Sequence, residues 1–127
     1  MSIACVALVD DEAPVRAALG RLLRLADFTV LAFASGEEFL DSLAARVPDC
    51  VLLDVHMPGL TGPQVQARLR AAGLDLPVVF ITASDDADVE RRALEAGGLQ
   101  VLLKPFTNET LLDALRLALS PRPRHDG

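Results

Sequence analysis

Cys50-Val51-Leu52-Leu53-Asp54-Val55-His56-Met57-Pro58-Gly59-Leu60-Thr61-Gly62 sets four apolar residues directly against a carboxylate. An unbroken apolar run of this kind, Cys50–Leu53, suits a strand covered on both faces of a parallel sheet. The residues from Gly62 to Ala72 then take helical spacing, and Gly73 is a natural C-terminal stop. The segment reads as a strand followed by a helix, with one acidic side chain at the strand's carboxyl end.

The same unit recurs outward in both directions. Upstream lie strand patterns at Ile3–Val9 and Thr29–Ala34; downstream lie Pro77–Thr82 and Leu99–Leu103. Ala13–Leu25 carries Val15, Ala18, Leu19, Leu22 and Leu23 at helical spacing, with Arg16, Arg21 and Arg24 on the remaining surface. Ser35-Gly36-Glu37-Glu38 has capping-box spacing and opens a helix to about Ala45. Asp86–Ala96 closes at Gly97-Gly98, and Thr107–Leu119 starts on a capping Thr and stops before Pro121. Five strand–helix units with short connections predict right-handed crossovers and a doubly wound α/β fold, a five-stranded parallel sheet in the order 2-1-3-4-5.

Size and charge agree with one such domain over residues 1–119. The chain has 127 residues, 51% of them hydrophobic, and no apolar run reaches the roughly 20 residues that span a bilayer. The first residues lack a basic stretch and a cleavage site, so a cytoplasmic location is expected. A net charge of −6 argues against direct binding of nucleic acid. Residues 120–127 mix Pro, Arg and Gly and read as a tail or linker toward an output domain. Cys5 and Cys50 sit inside apolar runs and read as reduced, buried thiols.

The polar residues that end the strands carry the chemistry. Asp10 and Asp11 end the first strand, Asp54 the third and Thr82 the fourth; Lys104 follows the fifth. In the order 2-1-3-4-5 these groups converge at one edge, where ligands of open parallel sheets bind. Two carboxylates about 4 Å apart repel by roughly 4 kcal/mol at an effective dielectric near 20. That is a large part of a domain's ~5–15 kcal/mol of stability. Solvent exposure, raised pKa values or a bound cation can relieve it. With oxygen ligands only, the cation would be hard, Mg²⁺ before Zn²⁺ and with Mn²⁺ as a substitute. Lys104, the Thr82 hydroxyl and the Ala83 N–H can stabilise the oxygens of a transferring phosphoryl group, with Asp54 as the nucleophile.

At these residues the chain resembles the response-regulator receiver family. The matching pieces are Val9-Asp10-Asp11-Glu12, Leu53-Asp54-Val55-His56-Met57-Pro58-Gly59-Leu60-Thr61-Gly62, Ile81-Thr82-Ala83 and Lys104-Pro105-Phe106. The resemblance implies a flavodoxin-like receiver fold in a two-component phosphorelay. It makes Asp54 the phosphoacceptor, Asp11 a direct Mg²⁺ ligand and Asp10 a ligand through water. The backbone carbonyl of His56 would be a further ligand. Thr82 would be the hydroxyl that moves toward the phosphate and Lys104 its cationic partner, after a cis Lys104–Pro105 peptide. His56 and Ser84 stand where the family varies the lifetime of the acyl phosphate.

Partners implied by the resemblance are a sensor histidine kinase or phosphotransfer protein, and an output domain. A second copy of the chain is another, docked on the fourth helix, fifth strand and fifth helix, or on the first and fifth helices. The acidic run Asp85, Asp86 and Asp88 opens the fourth helix and reads as a solvated start or a partner-facing patch. One position departs from the family pattern: Val101 stands where an aromatic ring commonly swings with the Thr. The expected role is a signalling switch. A pseudo-receiver with altered output and a Mg²⁺-dependent aspartyl-phosphate phosphatase are the alternatives. The phosphatase would want a second acid at position 56 and a cap, for which the chain has no room.

Overall fold

Strands and helices alternate without exception along residues 3–120, the part that the computed structural model describes. The strands are β1 (Cys5–Val9), β2 (Thr29–Phe33), β3 (Cys50–Asp54), β4 (Val78–Thr82) and β5 (Gln100–Leu103). The helices are α1 (Ala13–Leu25), α2 (Gly36–Ser42), α3 (Gly62–Ala71), α4 (Ala87–Glu95) and α5 (Asn108–Leu119). Apart from Ser120, the expected tail 120–127 lies outside the described residues. No helix among the described residues is long and apolar enough to cross a membrane.

All neighbouring strands pair in parallel, in the order β2-β1-β3-β4-β5 that the alternation predicts. Every residue of β1, β3 and β4 is buried, as their apolar runs require. Alternate side chains feed two cores, because successive strand residues face opposite sides. Val6, Leu8, Cys50, Leu52, Val79 and Ile81 pack with Leu19 and Leu23 of α1 and Leu111 and Leu115 of α5. Ala7, Val9, Val51, Leu53, Val78 and Phe80 pack with Phe39, Val65, Leu69 and Ala93 of the other three helices. Cys5 and Cys50 are free and buried.

Several boundaries move inward. Ile3 is 64% exposed and precedes β1, which starts at Cys5 where its pairing with Thr29 begins. Helix α2 ends at Ser42 instead of about Ala45; the Ser42 hydroxyl donates to the Phe39 carbonyl at 2.6 Å, and Leu43 N–H bonds back only three residues, to Leu40. The Ser35 hydroxyl accepts from Glu38 N–H at 3.1 Å, but the Glu38 carboxylate reaches past Ser35 to Ala34 N–H. A full reciprocal capping box forms at Thr61 and Gln64, at the start of α3.

Candidate functional site

The side chains that end β1, β3, β4 and β5 meet at the carboxyl edge of the sheet. Asp10 follows β1 and is fully buried; Asp54 closes β3 with 4% exposure, and Thr82 closes β4 with 1%. Buried carboxylates need partners, and these have them. Asp10 Oδ1 accepts from Glu12 N–H at 2.9 Å, and its Oδ2 from Lys104 Nζ at 3.1 Å. The Asp10 carbonyl also takes a 2.8 Å bond from Arg16. Asp54 Oδ1 accepts from His56 N–H at 3.3 Å, and its Oδ2 lies 3.8 Å from Lys104 Nζ. One ammonium therefore serves two buried carboxylates that begin 44 residues apart in the chain.

The lysine is held as well as attracted. Its own N–H donates to the Thr82 carbonyl at 2.7 Å, which ties the end of β5 to the end of β4. The Lys104–Pro105 peptide is cis.

Burial pushes the Asp54 carboxyl up to about 6, against Lys104 and the His56 N–H, which hold it down; the charges of Asp10 and Asp11 push it further up. One lysine thus leaves the acid cluster short of positive charge. Carboxylate oxygens of Asp10, Glu12 and Asp54 lie within 4.8 Å of one another. This all-oxygen set fits a hard divalent cation.

The residues expected from the sequence do not all sit together. Asp10, Asp54, Thr82 and Lys104 do, and the resemblance's direct ligand Asp11 does not join the closest carboxylates. Its side chain is exposed, although its charge still reaches Asp54. Glu12 takes that place, 3.8 Å from Lys104 Nζ, and is a residue the sequence reading assigned no role. The signal for Glu12 was its position as N-cap of α1 beside Asp10, a placement set by the turn rather than by any motif spacing. His56 is exposed and lines a shallow cleft with Val55, Thr61, Pro63, Val89 and Arg92. Ala83 is exposed at the start of the β4–α4 turn.

That turn is organised by three successive bonds of the same form. Ser84 N–H donates to Thr82 Oγ1 at 3.1 Å, Asp86 N–H to Ser84 Oγ at 3.2 Å, and Asp88 N–H to Asp86 Oδ1 at 2.9 Å. Asp86 thereby caps α4, as its place before an apolar-periodic run suggests. Asp88 turns outward to Arg91. Val101 is half-buried against the core beneath α4.

Comparison with known proteins gives one answer. The model of the "Response regulator receiver domain" family matches residues 6–116. The transcriptional regulatory protein TdiR of Thauera aromatica is 40% identical over 115 residues, which is 91% of this chain and 51% of that protein. The response regulator MprA of Mycolicibacterium vanbaalenii is 39% identical over 122 residues, 96% of this chain and 53% of that protein. The chain spans about half the length of the curated relatives it matches. Among solved structures, FixJ-N superimposes with a TM-score of 0.88 at 28% identity, covering 94% of this chain and 95% of that one. The response regulator StyR gives 0.84 at 39% identity, covering 93% of this chain and 60% of that one. Sheet order, the acid edge and these matches converge: the chain belongs to the response regulator receiver domains, the signalling switches of two-component systems.

Proposed function

We propose that Asp54 accepts a phosphoryl group from the phosphohistidine of a sensor kinase or phosphotransfer protein, and that the phosphorylated domain signals to a partner. The observation that carries this reading is the buried Asp54 carboxylate, 3.8 Å from Lys104 Nζ and grouped with Asp10 and Glu12. In the transfer an Asp54 oxygen forms the bond to phosphorus as the P–N bond of the donor breaks, and the imidazole leaves as the neutral base after taking up a proton.

Lys104 would turn from Asp10 toward a phosphoryl oxygen, a move its flexible stem permits. Thr82 Oγ1 already accepts the Ser84 N–H, so its own O–H is available to donate to another phosphoryl oxygen. The exposed Ala83 N–H is a further donor. Asp10, Asp54 and the His56 carbonyl would hold Mg²⁺ or Mn²⁺, with Asp11 or Glu12 completing the acidic side. Such an ion supplies Lewis-acid neutralisation of the transferring group's charge. His56 and Ser84 flank the acceptor and are proposed to tune how long the acyl phosphate lasts.

The relatives named above extend beyond the length this chain covers, and one is a transcriptional regulator. An output domain joined after residue 120 is the partner we propose. The test is incubation with acetyl phosphate, with and without Mg²⁺, followed by intact-mass measurement. A single Mg²⁺-dependent phosphoryl adduct that disappears in Asp54→Ala is expected. No adduct, or one that survives Asp54→Ala, overturns the reading.

A further inference from the structure

At the amino edge of the sheet, the end away from Asp54, a groove of about 450 Å³ is lined by Ala4, Asp49, Asp75, Pro77 and the last residues of α5, Ala118 to Ser120. The first four precede β1, β3 and β4, which lie side by side. The groove therefore crosses two strand spacings, roughly 10 Å. Asp49 and Asp75 are both exposed. Asp49 Oδ2 accepts the Cys5 N–H at 2.6 Å, which orients the carboxylate without neutralising it. Among the described residues neither aspartate has an ion-pair partner; Arg46, whose charge reaches Cys5, pairs with neither.

The chain leaves α5 inside this groove. Ser120 lines it, and its backbone, at φ −67° and ψ 143°, has already turned from helical to the polyproline conformation. The sequence then continues Pro121-Arg122-Pro123-Arg124-His125. Proline and the residue before it favour that same conformation, which advances about 3.1 Å per residue. Arg122 and Arg124 then stand roughly 6 and 12 Å along the chain from Ser120, a reach that matches the width of the groove. Both guanidinium groups stay charged, and they meet a groove that offers two carboxylates.

We infer that the segment Pro121–His125 docks along this groove of its own chain, with Arg122 and Arg124 pairing with Asp49 and Asp75 and the prolines lying on Pro77 and Leu119. Its own segment outcompetes a second copy's because it is tethered at the groove, at an effective concentration of about millimolar. The inference is independent of the phosphoryl-acceptor reading. Its consequence is that a domain joined beyond the segment departs from the end of the sheet away from Asp54.

Amide relaxation measured by NMR on the whole chain tests it. In the parent the Arg124 amide is expected to be ordered, with an order parameter toward the ~0.85 of rigid backbone. In Asp49→Asn/Asp75→Asn it should fall below about 0.6, the flexible range. The asparagine at position 49 keeps an oxygen for the Cys5 N–H, and dispersed strand signals verify that the fold persists. The same loss of order should appear in the parent in about 1 M salt, where charges are screened beyond roughly 3 Å. Arg122→Glu/Arg124→Glu should release residue 124 as well and shift the amide signals of Asp49 and Asp75. A flexible Arg124 in the parent overturns the inference. Order that survives the loss of both aspartates overturns it equally. So does order that fades on dilution, which would assign the segment to the groove of a second copy.

Discussion

Lys104 Nζ sits 3.1 Å from Asp10 Oδ2, and this contact joins a lysine with 18% side-chain exposure to a carboxylate with none. It is the shortest of three approaches by the same ammonium, with Asp54 and Glu12 both at 3.8 Å. Removing one member of a buried pair leaves the other charge uncompensated, which costs about 3–5 kcal/mol. Lys104→Met is therefore expected to lower stability by roughly 3 kcal/mol in urea titrations without divalent cations. Adding Asp10→Asn to that variant should recover part of the loss. If Asp10→Asn makes it worse, the pairing is not the cause.

Asp54 presents the opposite case. Its carboxyl is raised from 3.8 to about 6, chiefly by burial, so holding it ionised at neutral pH opposes folding. Two units at about 1.36 kcal/mol each set an upper bound near 3 kcal/mol. Asp54→Asn should raise the midpoint of thermal unfolding at pH 7 in chelator while abolishing phosphorylation. A lower midpoint would count against a strained carboxylate.

The exposed Asp11 and the clustered Glu12 make competing claims on a cation. The Asp11 charge acts on Asp54 across the site mouth. Glu12 has a side chain 61% exposed and meets Lys104 only at 3.8 Å. We expect Asp11→Ala to weaken Mg²⁺ binding about tenfold, near 1.4 kcal/mol, and Glu12→Ala to weaken it less. Calorimetric titration with Mg²⁺ decides the order; the reverse order would assign the ligand to Glu12.

Cys50 gives a pH signature away from the site. Burial pushes its thiol up from 9.0 to about 12, with Asp49 and Cys5 acting in the same direction. A group whose folded pKa is raised adds stability that is fully present below the unfolded value and is lost as pH rises. The contribution should hold below about pH 9 and drain away toward pH 12. Cys50→Ala, followed by unfolding against pH, should flatten the alkaline limb relative to the parent. A disulfide-exchange reagent at pH 8 should modify neither cysteine of the folded chain faster than it unfolds.

The sheet was legible because apolar runs and caps are local signals. Cys50–Leu53 reads as a buried strand whatever surrounds it, and Asp86 and Thr107 announce their helices within four residues. The convergence of Asp10, Asp54, Thr82 and Lys104 followed from strand order alone, since each ends or follows a strand. Glu12 was not legible, because the turn after β1 sets which exposed acidic side chain reaches toward Asp10 and Asp54. Ile3 and Ala45 were misjudged for a related reason. An apolar or helix-forming residue continues an element only while its backbone partners continue, and those lie elsewhere in the chain.

Gly62 lies so close to the end of β3 that an added Cβ would fall 2.6 Å from the Asp54 carbonyl and 3.0 Å from Phe80. Its N–H also donates to Val55, whose own N–H donates to Ile81. The backbone that carries Asp54 is thus boxed in, whereas the turn after Thr82 hangs on single side-chain bonds, the first to the buried Thr82 hydroxyl and the next two at the surface. Mechanically, the domain is an anvil beside a spring. We expect the work of modifying Asp54 to go less into the backbone where it lands than into the turn between β4 and α4.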